Sequence, residues 1–117
     1  MTISRRFTLS AHGAAEFVAG LAMMLAPAIL SFGVTGAIVS VVLGALLTGN
    51  ALNLVTTPGR SLVAHTAFDS AFLLATAVAA LGLAAAGQAS AGAIIFLAVI
   101  VMLEAGLSFS TRYVAAN

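Results

Sequence analysis

Four long apolar stretches, separated by three short breaks, make up almost the whole of this chain. A helix that spans a bilayer needs about 20 consecutive apolar residues, and each stretch is long enough. Only 6% of the 117 residues are charged and the mean hydropathy is +1.22, whereas soluble domains carry roughly 25% charged residues. The sequence therefore predicts an all-α integral membrane protein with four transmembrane helices.

The breaks between the stretches set the predicted helix limits. We expect four helices in a single domain covering residues 1–117, and their ranges are Phe7–Ser31, Thr35–Val55, Ser61–Ala86 and Ala91–Thr111. The longest break, Thr56–Arg60, contains proline and glycine, which stop a helix, and Ser61 can cap the next one. The breaks at Phe32–Val34 and Gly87–Ser90 are expected to be tight turns.

The arginines predict how the helices are oriented. When the chain spans the membrane four times, every arginine falls on the same side, and these residues are Arg5, Arg6, Arg60 and Arg112. Cytoplasmic loops carry an excess of basic residues, so we expect this side, with both chain termini, to be cytoplasmic. The predicted location is the bacterial inner (plasma) membrane.

The two halves of the chain share a pattern. His12 precedes Glu16 by four residues, and His65 precedes Asp69 by the same spacing; Gly36-Ala37-Ile38 likewise recurs as Gly92-Ala93-Ile94. We therefore predict two tandem, parallel helical-hairpin repeats, at about 7–55 and 61–111. Repeats with an even number of spans share one orientation and are related by an axis along the membrane normal. The two His/carboxylate pairs should then face each other.

The first predicted hairpin carries a characteristic set of small, proline and apolar residues. The set comprises Gly20-Leu21, Ala26-Pro27-Ala28, Leu30 and Phe32, followed by a glycine-bearing second helix. It resembles the hairpin unit of the SPW-repeat family of small prokaryotic membrane proteins. Of that family's serine-proline-tryptophan triplet only Pro27 is present, and the second half of the chain has no counterpart. The resemblance implies a tandem two-helix unit and brings no known activity.

Polar side chains from all four predicted helices fall in the cytoplasmic half. At about 1.5 Å per residue, the three acidic residues lie roughly 10 to 14 Å from the cytoplasmic helix ends. This polar layer consists of Glu16, Asp69, Glu104, His12, His65, Asn50 and Asn53, with Ser108 beside it. An ionised carboxylate at a helix centre costs about 2.5 to 3.5 kcal/mol on insertion scales. We therefore expect these groups to face inward and to be neutral, paired or bound to a cation.

Several roles for the polar layer remain open. It can be a hydrogen-bond network that fixes helix register, with each histidine bonded to a nearby carboxylate or amide. It can also hold a divalent metal, because imidazole and carboxylate ligands suit zinc, manganese or iron. The candidate metal ligands are His12, Glu16, His65 and Asp69. Di-iron bundles differ, because they place glutamate and histidine three residues apart.

Three further roles use the same residues. A dimeric, proton- or cation-coupled transporter is one; the small multidrug exporters are similar in length, span number and the presence of a glutamate in helix 1. Haem is another, with His12 and His65 as axial ligands. The third is an intramembrane enzyme using Glu16, Asp69 or Glu104 as acid and base, although no nucleophile or oxyanion site is indicated.

Two stripes of small residues at four-residue spacing indicate close helix contacts. They are Ser40, Gly44 and Thr48 in the second helix, and Ala71, Ala75 and Ala79 in the third. Such stripes can pack within the bundle, form a homo-oligomer or sit against a larger membrane complex.

The chain has no cysteine or lysine, which excludes thiolate metal sites and Schiff-base chemistry, and a net charge of +1 excludes nucleic acid as a partner. We expect a non-enzymatic membrane protein acting as an interaction or accessory subunit, with the small transporter as the alternative.

Overall fold

The computed structural model describes residues 8–56 and 62–111 and contains four helices in this part of the chain. They are α1 (Leu9–Ile29), α2 (Val34–Thr56), α3 (Leu62–Ala86) and α4 (Ala91–Ser110). All four are long and apolar enough to cross a membrane. The predicted all-α, four-helix fold is confirmed, with helix limits within two residues of those expected. The predicted cap Ser61 and all the arginines lie outside the described residues, so the orientation stays a prediction.

The helices end where the sequence provides caps and glycines. Ser90 begins α4, its Oγ accepting a hydrogen bond from the Ala93 amide at 3.1 Å. Gly33 (φ 78°) and Gly87 (φ 64°) supply the left-handed backbone conformation that each hairpin turn needs. The Ser90 amide also donates to the Phe32 carbonyl at 3.3 Å. The two hairpin turns therefore lie together, at the end of the bundle opposite the start of α1 and the end of α4.

The apolar core fills the middle of the bundle and its hairpin-turn end. All four helices contribute to the main cluster, which comprises Met23, Leu47, Phe72, Ala80, Leu83, Leu97 and Ile100. A second cluster, of Ala26, Phe32 and Ala93, packs beneath the turns. The buried ionisable groups of residues 8–56 and 62–111 all lie toward the other end, where α1 begins and α4 ends. Among the described residues, the fold thus separates a half without buried ionisable groups from a half that contains them all.

The glycine-bearing stripe of α2 packs against α1. An added Cβ on Gly44 would lie 2.6 Å from the Gly20 carbonyl oxygen, and one on Gly20 would lie 2.8 Å from the Gly44 carbonyl oxygen. Thr48 follows one turn later and also contacts Gly20. The α1 and α2 backbones are therefore in direct contact at this crossing, which no larger residue could allow.

Ser40, the remaining member of the α2 stripe, satisfies a backbone group that a proline leaves free. Pro27 has no N–H, so the Met23 carbonyl lacks its usual partner within α1. The Ser40 hydroxyl donates to this carbonyl at 2.6 Å and is fully buried. The stripe thus holds the first hairpin together by both close packing and a hydrogen bond.

The alanine stripe of α3 lies largely on the outer surface of the bundle, with only Ala79 partly covered. Ala71 and Ala75 are exposed and Ala79 is half-buried. Ala71 comes two positions after the buried Asp69, which places it about 200° around the helix. The buried residues His65, Asp69 and Phe72 determine which face of α3 turns inward. Contact between the alanines and another chain stays a prediction.

Candidate functional site

Helices α1 and α3 each contribute one histidine and one carboxylate to a buried cluster. His12 and Glu16 are fully buried, and His65 and Asp69 are 4% and 3% exposed. Within α1, His12 Nε2 contacts Glu16 Oε1 in hydrogen-bond geometry. Within α3, His65 Nε2 lies 3.2 Å from Asp69 Oδ2. Each pair stacks along its own helix because positions i and i+4 lie on one face.

The two pairs also contact each other across the helix interface. His12 Nε2 lies 3.0 Å from Asp69 Oδ2, and His65 Nε2 lies 3.7 Å from Glu16 Oε1. The imidazole rings meet edge to face, with centroids 5.4 Å apart. One nitrogen or oxygen from each of the four residues lies within 4.8 Å of the others. We call this group of His12, Glu16, His65 and Asp69 the four-residue cluster.

Helix α2 adds an amide that orients both carboxylates. Asn50 Nδ2 donates to Glu16 Oε2 at 3.3 Å and to Asp69 Oδ1 at 3.2 Å. The amide has two N–H groups, so it can serve both acceptors. Each carboxylate is therefore held through one oxygen, and its other oxygen faces the histidines.

Thr111, just beyond α4, determines the tautomer of His12. The Thr111 hydroxyl donates its hydrogen to the Leu107 carbonyl at 2.6 Å. It lies 2.7 Å from His12 Nδ1, and because its one hydrogen is already used, it accepts from Nδ1–H. His12 Nε2 is then the nitrogen left facing the two carboxylate oxygens. A lone pair between two anionic oxygens is repulsive, so this position requires a proton or a metal cation.

The ring of His65, the second histidine, has a nitrogen whose hydrogen-bonding capacity is not satisfied. His65 Nε2 is buried and makes no hydrogen bond of acceptable geometry to the described residues, although two carboxylate oxygens lie within 3.7 Å. A buried polar atom without a partner is unusual and costs free energy. A cation between the histidines and the carboxylates would satisfy it.

The spacing of the cluster suits a tetrahedral metal ion. Ligands about 2.0 to 2.1 Å from zinc are about 3.3 Å from one another in a tetrahedron. Three of the histidine–carboxylate separations, 3.0, 3.2 and 3.7 Å, are close to this value. The His12–Glu16 contact is shorter, and all four ligand atoms lie within 4.8 Å of one another. Two neutral imidazoles and two carboxylates also cancel the charge of a divalent ion, which low-dielectric surroundings favour. The carboxylate oxygens occupy space around the histidines that a porphyrin would need, which argues against haem.

The remaining residues of the predicted layer lie beside the cluster. Glu104 is buried at 2% exposure, and its Oε2 has no hydrogen-bond partner among residues 8–56 and 62–111. It is near enough to Glu16 and Asp69 for their charges to interact, but it is not one of the four converging residues. Asn53 is half-buried on α2, one turn from Asn50.

Sequence reasoning missed Thr111. It lies seven residues after Glu104, so both fall on the same face of α4 and its extension. That seven-residue spacing was the signal available in the sequence. Threonine is common at the ends of helices, so the spacing alone did not indicate a partner for the site.

The fold and the cluster together describe a four-helix integral membrane protein with a buried His/carboxylate group near the end where α1 begins and α4 ends. No family model, no curated protein and no solved structure matches the chain. The resemblance to the SPW-repeat family stays a prediction.

Proposed function

We propose that this protein binds a divalent first-row transition-metal ion at the four-residue cluster and acts as a small membrane transporter of that ion. The observation that carries the proposal is the position of His12 Nε2. Its other ring nitrogen donates to Thr111, and Nε2 faces oxygens of Glu16 and Asp69. Histidines that ligate metals commonly donate their second nitrogen in this way.

Zinc is the ion that the donor set favours most. Two imidazole nitrogens and two carboxylate oxygens in a compact group suit a four-coordinate ion without a geometric preference of its own. Manganese and iron(II) accept the same ligand types but commonly take more ligands. Magnesium and calcium prefer sites built from oxygen alone.

Transport is the use that best fits the location of the cluster. Glu16 lies seven residues into α1, about 10 Å from the helix start at 1.5 Å per residue. An ion held there has left the aqueous surface without having crossed the membrane. Ionisable residues inside membrane spans commonly mark ion pathways.

Metal binding is tested by equilibrium titration of the tag-free protein in detergent with zinc, manganese and iron(II). We expect one ion per chain, and zinc to bind most tightly. The Glu16→Gln, Asp69→Asn double variant should lose binding, because amides are poor replacements for anionic ligands.

Glu104→Gln is the matched control, since Glu104 is an equally buried carboxylate outside the cluster. It should bind zinc with wild-type stoichiometry. Loss of binding in both variants alike, or no stoichiometric ion in the wild type, would refute the metal site. In proteoliposomes containing a zinc-sensitive dye, the wild type should admit zinc and the double variant should not.

A second candidate is the accessory subunit expected from the sequence. Its support is the large apolar surface: side chains such as Val18, Leu74, Leu81 and Met102 are at least 65% exposed. This surface can be covered by lipid or by another membrane protein. In that case the cluster serves to fix helix register, and the double variant should retain its partners.

A further inference from the structure

A cavity of about 450 Å³ opens between α3 and α4 beside the four-residue cluster. Its polar lining comes from Thr66, Asp69 and Ser70 on α3 and from Ser108 on α4. Apolar side chains, among them Phe109, complete the wall. We call this cavity the α3–α4 groove.

Asp69 connects the groove to the cluster. Its carboxylate contacts both histidines through Oδ2, while the residue also forms part of the groove wall. The other three members of the cluster do not line this groove. An ion that enters the groove therefore meets Asp69 first.

The groove is large enough for an ion that still carries water. A water molecule takes up about 30 Å³ in the liquid, so six of them need roughly 180 Å³, well under the 450 Å³ present. Hydroxyl oxygens from Ser70 and Ser108 can replace some of these waters as the ion moves inward.

The polar lining lies near one end of the helices. Thr66 is four residues from the start of α3 and Ser108 two residues from the end of α4, which at 1.5 Å per residue is about 6 and 3 Å. The headgroup region of a bilayer is about 5 to 7 Å deep on each side. The mouth of the groove is thus close to the end of the bundle, where the hydrated headgroup region adjoins the hydrocarbon core.

We propose that the α3–α4 groove is the route by which a hydrated divalent cation reaches the four-residue cluster, with Asp69 as the first ligand. This inference rests on the proposed metal site and adds the direction of access. It also assigns a role to Ser70 and Ser108, which take no part in the cluster itself.

Water in the groove is tested with single cysteines, because the chain has none of its own. The probe is a charged, membrane-impermeant maleimide. It reacts with the thiolate of the introduced cysteine, which forms only where water reaches the side chain. We expect Ser70→Cys to react at least tenfold faster than Ala71→Cys. Ala71 is the adjacent residue at the same depth, exposed on the outer face of α3 and outside the groove. Equal rates would overturn the inference.

The route itself is tested by blocking the groove with Ser70→Leu, with Ala71→Leu as control. In stopped-flow mixing with zinc, the Ser70→Leu variant should bind at least tenfold more slowly with little change in Kd, while the control keeps the wild-type rate. If the wild type binds zinc and Ser70→Leu does not slow it, only the access route is refuted. If the wild type binds no ion, the proposed function fails and the route fails with it, whatever the labelling shows.

Discussion

At the scale of single residues, the most informative contact is between His12 and Thr111. A hydroxyl that donates to a backbone carbonyl can only accept from the imidazole, so the threonine selects the tautomer of the histidine. The contact joins residues 99 positions apart in the chain. It turns His12 Nε2 into the nitrogen available for a cation.

Replacing Thr111 with valine should weaken zinc binding by about 10 to 100 fold, the usual effect of removing a partner of a ligating histidine. Valine keeps the shape but cannot accept the Nδ1–H hydrogen bond. The measurement is competition with a zinc chelator of known affinity.

Thr76→Val is the matched control for that change. Thr76 is fully buried, and its hydroxyl has no hydrogen-bond partner in the described part of the chain. Its substitution should leave zinc affinity unchanged. Equal losses of zinc affinity in the two variants would show that replacing any buried threonine weakens zinc binding. The argument that Thr111 acts through the tautomer of His12 would then be wrong.

The members of the cluster were predictable, because each His/carboxylate pair is local in sequence. A spacing of four on a helix places both groups on one face, and the cost of exposing charge to lipid turns that face inward. Thr111 was not predictable in the same way. Its contact with His12 depends on how α1 and α4 cross, which no local pattern encodes.

At the scale of helices, the α1–α2 crossing depends on two glycines. Gly44→Ala would place a methyl group 2.6 Å from the Gly20 carbonyl oxygen and 2.8 Å from Met23 Cβ. Overpacking of this kind costs about 1 to 3 kcal/mol, because the backbones must move apart. We expect a lower thermal midpoint for this variant in detergent.

Gly49→Ala offers a control on the same helix. An added Cβ at Gly49 meets nothing within 4 Å, so the midpoint should stay the same or rise slightly. A fall as large as that of Gly44→Ala would mean that helix flexibility, rather than the close crossing, accounts for the loss.

The two small-residue stripes show the limit of reading helix faces from sequence. Both have residues at four-residue spacing, yet the α2 stripe packs inside and Ala71 and Ala75 point outward. Spacing defines a face without saying which way it turns. On α3 the inward face is decided by His65, Asp69 and Phe72. Burying the aromatic ring and pairing the polar groups contribute more to stability than burying alanine does.

At the scale of the whole molecule, the four-residue cluster and its hydrogen-bond partners Asn50 and Thr111 tie three helices and the end of the fourth into one network. His12 and Glu16 come from α1, Asn50 from α2, His65 and Asp69 from α3, and Thr111 follows α4. The apolar core fills the middle of the bundle and the opposite end. A ligand bound at the cluster should therefore stabilise the whole bundle.

Zinc should raise the unfolding free energy of the wild type by about 2.7 kcal/mol at a free concentration 100 times its Kd. The measurement is thermal or denaturant unfolding in detergent, with zinc and with a chelator. The Glu16→Gln, Asp69→Asn variant should not respond to zinc.

Without metal, the same double variant should be as stable as the wild type or more so, because amides still form hydrogen bonds and avoid the burial of charge. If it is much less stable while zinc leaves the wild type unchanged, the cluster is a structural network and the metal site is refuted.

Local patterns in the chain were enough to predict the fold class, the four helices with their limits, and the two His/carboxylate pairs. These are local properties: hydropathy over about 20 residues, proline and glycine at breaks, and a spacing of four. The packed structure was needed to show that the two pairs meet within 4.8 Å, that Glu104 lies outside the cluster and that Thr111 bonds to it. The reason is physical, since these contacts depend on the distances and rotations between helices, which the packing of all side chains sets together.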